Sequence, residues 1–183
     1  MQFLLPRPIS LARWLLAGLT LHCHSVSAEE VATEYSVRAA MVFNFLKFTE
    51  FPPESLNGSL GNSPSLKLCM SVRDSRQAQA LTALAGRKIA GRELQVINFN
   101  HQSGKCHVFY VDSRQQWNAA AEQLALAGAL SISPVTGFAR DDGMIEITTL
   151  KEAIGFEINL KQSRHAGFRF SPQLLRLARR IHE

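Results

Sequence analysis

The sequence contains no apolar run of the roughly 20 residues that a membrane-spanning helix needs. It has no GxSxG elbow, no HExxH, no GxGxxG fingerprint and no glycine-rich phosphate loop, so the common hydrolase, zincin and nucleotide-binding signatures are all missing. Charge is modest: the formal net value is +5 over 183 residues. Such a balance gives neither the basic field of a nucleic-acid binder nor a strongly membrane-seeking surface. There is no internal repeat and no low-complexity segment. Cysteine is scarce, with three in the chain.

What is present begins with a leader. Arg7 and Arg13 precede the short apolar run Trp14–Leu21, and Val26-Ser27-Ala28 supplies small residues before a cut. This is the layout of a cleaved signal peptide over residues 1–28, followed by one domain over 29–183. His22 stands where a lipoprotein signal wants a small residue before Cys23. The expected compartment is the periplasm of a two-membrane bacterium. Removal of Arg7 and Arg13 makes the exported chain less basic still.

Cys69 and Cys106 remain after export, and an even pair in an oxidising compartment reads as a disulfide. His101 and His107 lie near Cys106, so a metal site that includes Cys69 is the rival reading. The spacing fits no common zinc pattern.

The stretch Val31–Pro53, VATEYSVRAAMVFNFLKFTEFPP, predicts a helix around which the rest is organised. Val37, Met41, Phe45 and Phe48 follow one helical face, and Ala39, Ala40, Val42, Phe43 and Leu46 spread apolar character further. A helix so widely apolar is either a core helix or one with a partner on its second side. Glu29, Glu30 and Glu34 suit its start, and Phe51-Pro52-Pro53 ends it. Glu54 to Ser65 is loop by composition.

Strand and helix then alternate. Strands are expected at Leu66–Val72, Leu94–Phe99, Cys106–Val111 and Leu130–Ser133, with Lys88–Arg92 a short turn. Asp74 or Ser75 caps a helix with Ala78, Leu81, Leu84 and Ala85 inward, closed by Gly86. Asp112 or Ser113 caps another that runs to Ala127, with Trp117, Ala120, Leu124 and Ala127 inward. Met144–Thr148 and Ile154–Leu160 alternate like an antiparallel pair. Ser171 as cap and Pro172 at the first position open a last helix, with Leu174, Leu177, Ala178 and Ile181 buried and Arg176, Arg179 and Arg180 outward. The expected fold is α/β: one three-layer domain with a mostly parallel mixed sheet, helices on both faces and an antiparallel C-terminal strand pair.

No catalytic residue and no cofactor site can be named. Asp141 and Asp142 read as a solvated turn, His107 as a packed or edge residue, and His182 as a mobile terminal residue. Arg164-His165, before Gly167 and the Ser171 cap, is the polar spot that could hold an anionic ligand, with Arg38 contributing if the chain ends pack together.

The ordered series Val37-Arg38-Ala39-Ala40, Phe43-Asn44-Phe45, Phe51-Pro52, Leu68-Cys69, Gly91-Arg92, Cys106, Gly137-Phe138, Gly143-Met144-Ile145, Phe156–Leu160 and Ser171–Ala178 resembles the YfiR-like family of periplasmic proteins. The resemblance implies a regulator and not an enzyme. Such a protein binds the periplasmic sensor domain of an inner-membrane diguanylate cyclase and represses cyclic-di-GMP synthesis and biofilm formation. It also implies a homodimer, redox responsiveness, and Cys69 and Cys106 at the positions of the principal disulfide. Phe51-Pro52 replaces a common Trp-Pro, and a second cysteine pair found in some members is absent here, so any redox response rests on one bond. The alternative expectation is a periplasmic module for a small anionic ligand at Arg38, Arg164 and His165.

Overall fold

Leu66, Leu68 and Met70 alternate with Lys67 and Cys69, and the alternation puts them on opposite faces of a strand. The computed structural model describes residues 27–53, 65–100, 102–151 and 153–183. The leader with Cys23, most of the expected Glu54–Ser65 loop, and His101 lie outside the described residues. The strand is β2 (Ser65–Ser71), after a two-residue strand β1 (Thr49–Glu50). The other strands are β3 (Lys88–Ile89), β4 (Arg92–Asn98), β5 (Val108–Val111), β6 (Leu130–Ser133), β7 (Ile145–Leu150), β8 (Ala153–Asn159), β9 (Arg169–Phe170) and β10 (Arg180–His182). Helices are α1 (Ser27–Lys47), α2 (Ser75–Thr82), α3 (Arg114–Ala127), α4 (Leu160–His165) and α5 (Pro172–Leu177).

The main sheet runs β10-β8-β7-β6-β5-β2-β4-β3. Its five middle strands, β7, β6, β5, β2 and β4, are parallel neighbours, and β7 and β8 form the expected antiparallel pair. β2 comes first in the chain among the five yet sits between β4 and β5, so the crossovers diverge there. In open α/β sheets such a switch point opens a crevice at the carboxyl ends of the strands. Leu66, Leu68, Met70, Val108 and Tyr110 face a core covered by α1 and α2. Cys69, Phe109 and Val111 face a smaller core with Trp117 and Ala120 of α3 and Phe138 of the β6–β7 loop. The mixed sheet with helices on both faces is the expected three-layer architecture.

Local signals explain the elements. Asp74 is the cap of α2, and its side chain accepts from the Arg76 amide at 2.9 Å. Ser171 accepts from the Leu174 amide and Pro172 opens α5. The segment Lys88–Arg92 is more than a turn. Ala90 and Gly91 both have positive φ, the requirement of a tight type I′ hairpin, and they fold β3 back on β4.

Two expectations are corrected. On α1 the buried side is Ala39, Val42, Phe45 and Leu46, while Val37 is 38 % exposed and Met41 and Phe48 are half-buried. The inner face is thus rotated from the expected one, with Phe45 common to both. The last helix also stops at Leu177. Ala178 is extended at ψ 135°, and Arg180–His182 adds to β8 as a parallel strand. Leu177 (66 % exposed) and Ile181 are therefore not a buried stripe. The unpaired backbone of β8 offers ladder hydrogen bonds that outweigh three more residues of helix.

The β6–β7 loop folds over Glu146, whose carboxylate accepts the amides of Gly137 and Ala139, each at 3.1 Å. Gly143 sits under the buried Phe138 ring; a Cβ there would lie 2.1 Å from the ring carbons. Gly143→Ala should cost about 1–3 kcal/mol by overpacking, read as a lowered urea midpoint.

Candidate functional site

Three places gather polar or exposed groups, and each follows from local chain chemistry. The first is the switch-point crevice. Arg73 and Asp112 follow the ends of β2 and β5, and the Arg73 amide donates to Asp112 Oδ2 at 2.7 Å. Tyr35 of α1 donates its hydroxyl to Asp74. The Arg76 guanidinium lies 5.3 Å from the Tyr35 ring centre and that of Arg38 5.8 Å from it. Hydrogen bonds from the Arg76 guanidinium, Tyr35 and the Arg76 amide hold the Asp74 carboxyl well below the usual carboxylate range. The same bond to Asp74 raises Tyr35. Arg38 pairs with Glu34 at 2.5 Å, and Glu34 also meets the Thr149 hydroxyl at 3.3 Å.

Among the described residues the buried side-chain polar atoms without a hydrogen-bond partner are Arg38 Nε, the Tyr110 hydroxyl and both polar atoms of Gln77 on α2. Burial pushes the Tyr110 phenol far up, so the ring stays neutral.

The expected anion triad is split. Arg164 and His165 are adjacent in the last turn of α4, where cations suit the negative end of the helix. Both are exposed. His165 lines a cavity with Ser131 and Met144, which lie at the amino ends of β6 and β7. Arg38 reaches Thr149 through Glu34, near the carboxyl end of β7. The chain ends do pack, since β1 pairs with β9, but Arg38 is nine residues before the end of α1, about 14 Å along it.

The second place is the disulfide. Cys69 of β2 and Cys106, just before β5, are bonded with Cα atoms 5.8 Å apart. Both are buried, and the bond takes both sulfurs out of the rival metal set. His107 is buried beside it, as expected of a packed residue. Its Nδ1 accepts the Lys67 amide at 2.9 Å, extending the β2–β5 ladder through a side chain. Burial first, then Lys105, Lys67 and Arg92, push His107 down to about 4.

The third is the sheet edge at β8 and β10. Val37, Leu150, Leu177 and Ile181 are the large hydrophobic residues exposed among those described. α1 lies against β8, Leu150 stands at the β7–β8 turn, and the other two lie on or beside β10. Arg179 is no free surface charge: its guanidinium donates to the Thr148 hydroxyl at 3.0 Å and the Ala153 carbonyl at 2.9 Å, crossing Gly155. His182 meets Glu157 at 2.7 Å and is tied down, not mobile. Arg176 and Arg180 are exposed beside it. Asp141 of the expected solvated turn pairs with Arg114 at 2.8 Å.

The sequence reading passed over Tyr35, Glu146 and Glu157. Glu146 sits in an alternating strand whose polar positions normally face water; the signal that it does not is the glycine-bearing loop just before it. Residues 35–179 match the family model described as YfiR/HmsC-like. No curated protein matches the chain.

His107 generates a pH prediction. With a folded value near 4 and an ordinary value near 6.5, the unfolded chain binds the proton more readily. Its stabilising share is complete above about 6.5 and is lost as pH falls toward 4. The urea midpoint should therefore drop between pH 7 and pH 5. His107→Asn, which keeps an acceptor without titrating, should flatten that slope. Breaking the disulfide should cost at most about 4 kcal/mol on the chain-entropy account of its 37-residue separation, measured by urea unfolding of a Cys69→Ala/Cys106→Ala chain.

Proposed function

The chain belongs to the YfiR/HmsC-like family, and on that premise we propose that it is a periplasmic negative regulator. It docks on the exported sensor segment of an inner-membrane diguanylate cyclase and lowers cyclic-di-GMP synthesis, and biofilm formation with it. The reading is regulatory and not catalytic. The observation that carries it is the family match over residues 35–179, which runs from α1 to the arginine that fastens the last strand.

The geometry supports a docking role at one edge. Exposed Leu150, Leu177 and Ile181 and the exposed Arg176 and Arg180 combine apolar and cationic side chains along the edge at β8 and β10. Interfaces commonly have that anatomy, with arginine enriched. Docking represses only if the surface binds the inactive arrangement of the cyclase more tightly than the active one. A second copy of the chain as dimer mate is part of the same reading.

A small-ligand module remains the second reading, favoured by the partnerless Arg38 Nε and Tyr110 hydroxyl in the crevice. Any ligand of the crevice would be held by Arg38 alone of the three expected residues, since Arg164 and His165 lie at the other end of the strands.

Redox control would act on the Cys69–Cys106 bond. Both sulfurs are buried, so a reductant reaches them only after local opening. A Cys69→Ala chain that represses equally under all redox conditions would remove this part of the reading.

Deleting the gene in its host should raise cellular cyclic-di-GMP, and deleting one membrane cyclase as well should abolish the rise. An unchanged level across growth conditions overturns the regulator reading. Leu150→Asp/Leu177→Asp should also derepress with little loss of melting temperature, because both side chains are mostly exposed. Full repression by that double variant would move the docking surface elsewhere.

A further inference from the structure

Protein interiors are filled to crystal-like density, so a large void beside a core is informative. Next to the smaller core lies a cavity of about 520 Å³, within the range of small-molecule sites. It exists because its walls are short: Ala121, Gly128, Ala129 and Ala166 line it where larger residues would fill it. Trp117 forms its floor. The indole is held edge-on against Phe138 at 4.9 Å and tilted against Phe109 at 6.4 Å. Trp117 is thus a fixed aromatic surface facing the cavity.

Two features at the cavity are electrostatically negative, while the other polar side chains, Ser131, Gln162 and His165, are not. Gly128 and Ala129 directly follow α3, a 14-residue helix with no basic residue in its last turn. The unmatched carbonyls at that end carry the negative pole of the helix. Asp142 adds a carboxylate. Its neighbour Asp141 is held by Arg114, whereas Asp142 has no ion pair among the described residues. Gln162 and His165 complete the rim with uncommitted hydrogen-bonding groups. An anion would meet a carboxylate and a helix carboxyl end. A cation with an apolar body would meet both, and a ring to lie on.

We propose that this cavity is a binding site for a small organic cation with an aromatic or similarly compact apolar body. The ammonium sits between Asp142 and the carboxyl end of α3, and the body lies on Trp117 and Met144. The site is separate from the Arg38 crevice and from the β8–β10 edge, and it requires neither the docking role nor the anionic-ligand reading.

The chain supplies its own reporter, because Trp14 and Trp117 are its two tryptophans and Trp14 lies in the expected leader. In a Trp14→Phe chain, emission comes from the cavity floor alone. Phenethylamine, phenethyl alcohol and phenylacetate differ in charge at nearly constant shape. Phenethylamine should change Trp117 emission saturably. The alcohol should bind about tenfold or more weakly, as expected for loss of a charge-assisted bond, and phenylacetate more weakly again. Asp142→Asn should bring the amine down to the level of the alcohol. Ala129→Leu should abolish binding by filling the cavity, at a somewhat lowered melting temperature because the position is buried. Calorimetry repeats each titration independently of fluorescence. No saturable binding of phenethylamine through the millimolar range by either method overturns the proposal. Equal binding of all three probes, or amine binding untouched by both Asp142→Asn and Ala129→Leu, overturns it as well.

Discussion

Both cores of this protein depend on the same seven-residue strand. β2 lies between β4 and β5 in the middle of the sheet, and its side chains alternate between the two layers that cover it. Leu66, Leu68 and Met70 anchor the larger core under α1 and α2, while Cys69 anchors the smaller one under α3. The covalent bond to Cys106, the Lys67 amide's bond to the His107 ring and the His107 amide's backbone bond to the Lys67 carbonyl tie β2 to the start of β5, so that register is fixed by three kinds of interaction at one place. A one-residue slip would exchange every side chain between the cores. The disulfide is thus more than a loop closure, since it keeps the two layers in step at the strand where the crossovers diverge.

Tyr35 does for the helices what Cys69 does for the strands. Its hydroxyl joins α1 to Asp74, the cap of α2, which directly follows Arg73 at the carboxyl end of β2. The crevice is therefore built by the same contacts that hold the helical layer. Buried atoms left without partners there, Arg38 Nε and the Tyr110 hydroxyl, carry a cost that folded chains seldom leave unmet. They mark the crevice as a place where a small polar guest would gain more than at an ordinary surface.

The layers were legible because their causes are local. Period-2 alternation in β2 and β7, Asp74 and Ser171 as caps, and Pro172 at a first helical position each act within a few residues. What was hidden depends on distant partners. Arg180–His182 has helical-looking leucines before it, but the open edge of β8 captures it as a strand. The inner face of α1 could not be chosen from sequence because nearly every side of that helix is apolar; the structure buries Ala39, Val42, Phe45 and Leu46. Arg164 and His165 before the last helix and Arg38 on the first were grouped on the premise that the chain ends pack, yet sequence says nothing of which end of a parallel sheet each occupies.

The edge at β8 and β10 combines features that a stable monomer has reason to avoid. Edge strands invite pairing, and β10 covers only Glu157–Asn159 of the seven residues of β8. Arg179 closes part of the remainder by donating its guanidinium across Gly155 to a strand carbonyl, a side chain doing the work of a missing ladder. Such a cover is more easily exchanged than a backbone strand over Ala153 to Gly155, while the Phe156 carbonyl keeps the backbone amide of Arg179. Leucines at 63 % and 66 % exposure beside it add an apolar drive to any chain that replaces the guanidinium. A regulator that must hold and then release a partner needs contacts of this kind, strong enough to bias two states of the partner and weak enough to be undone.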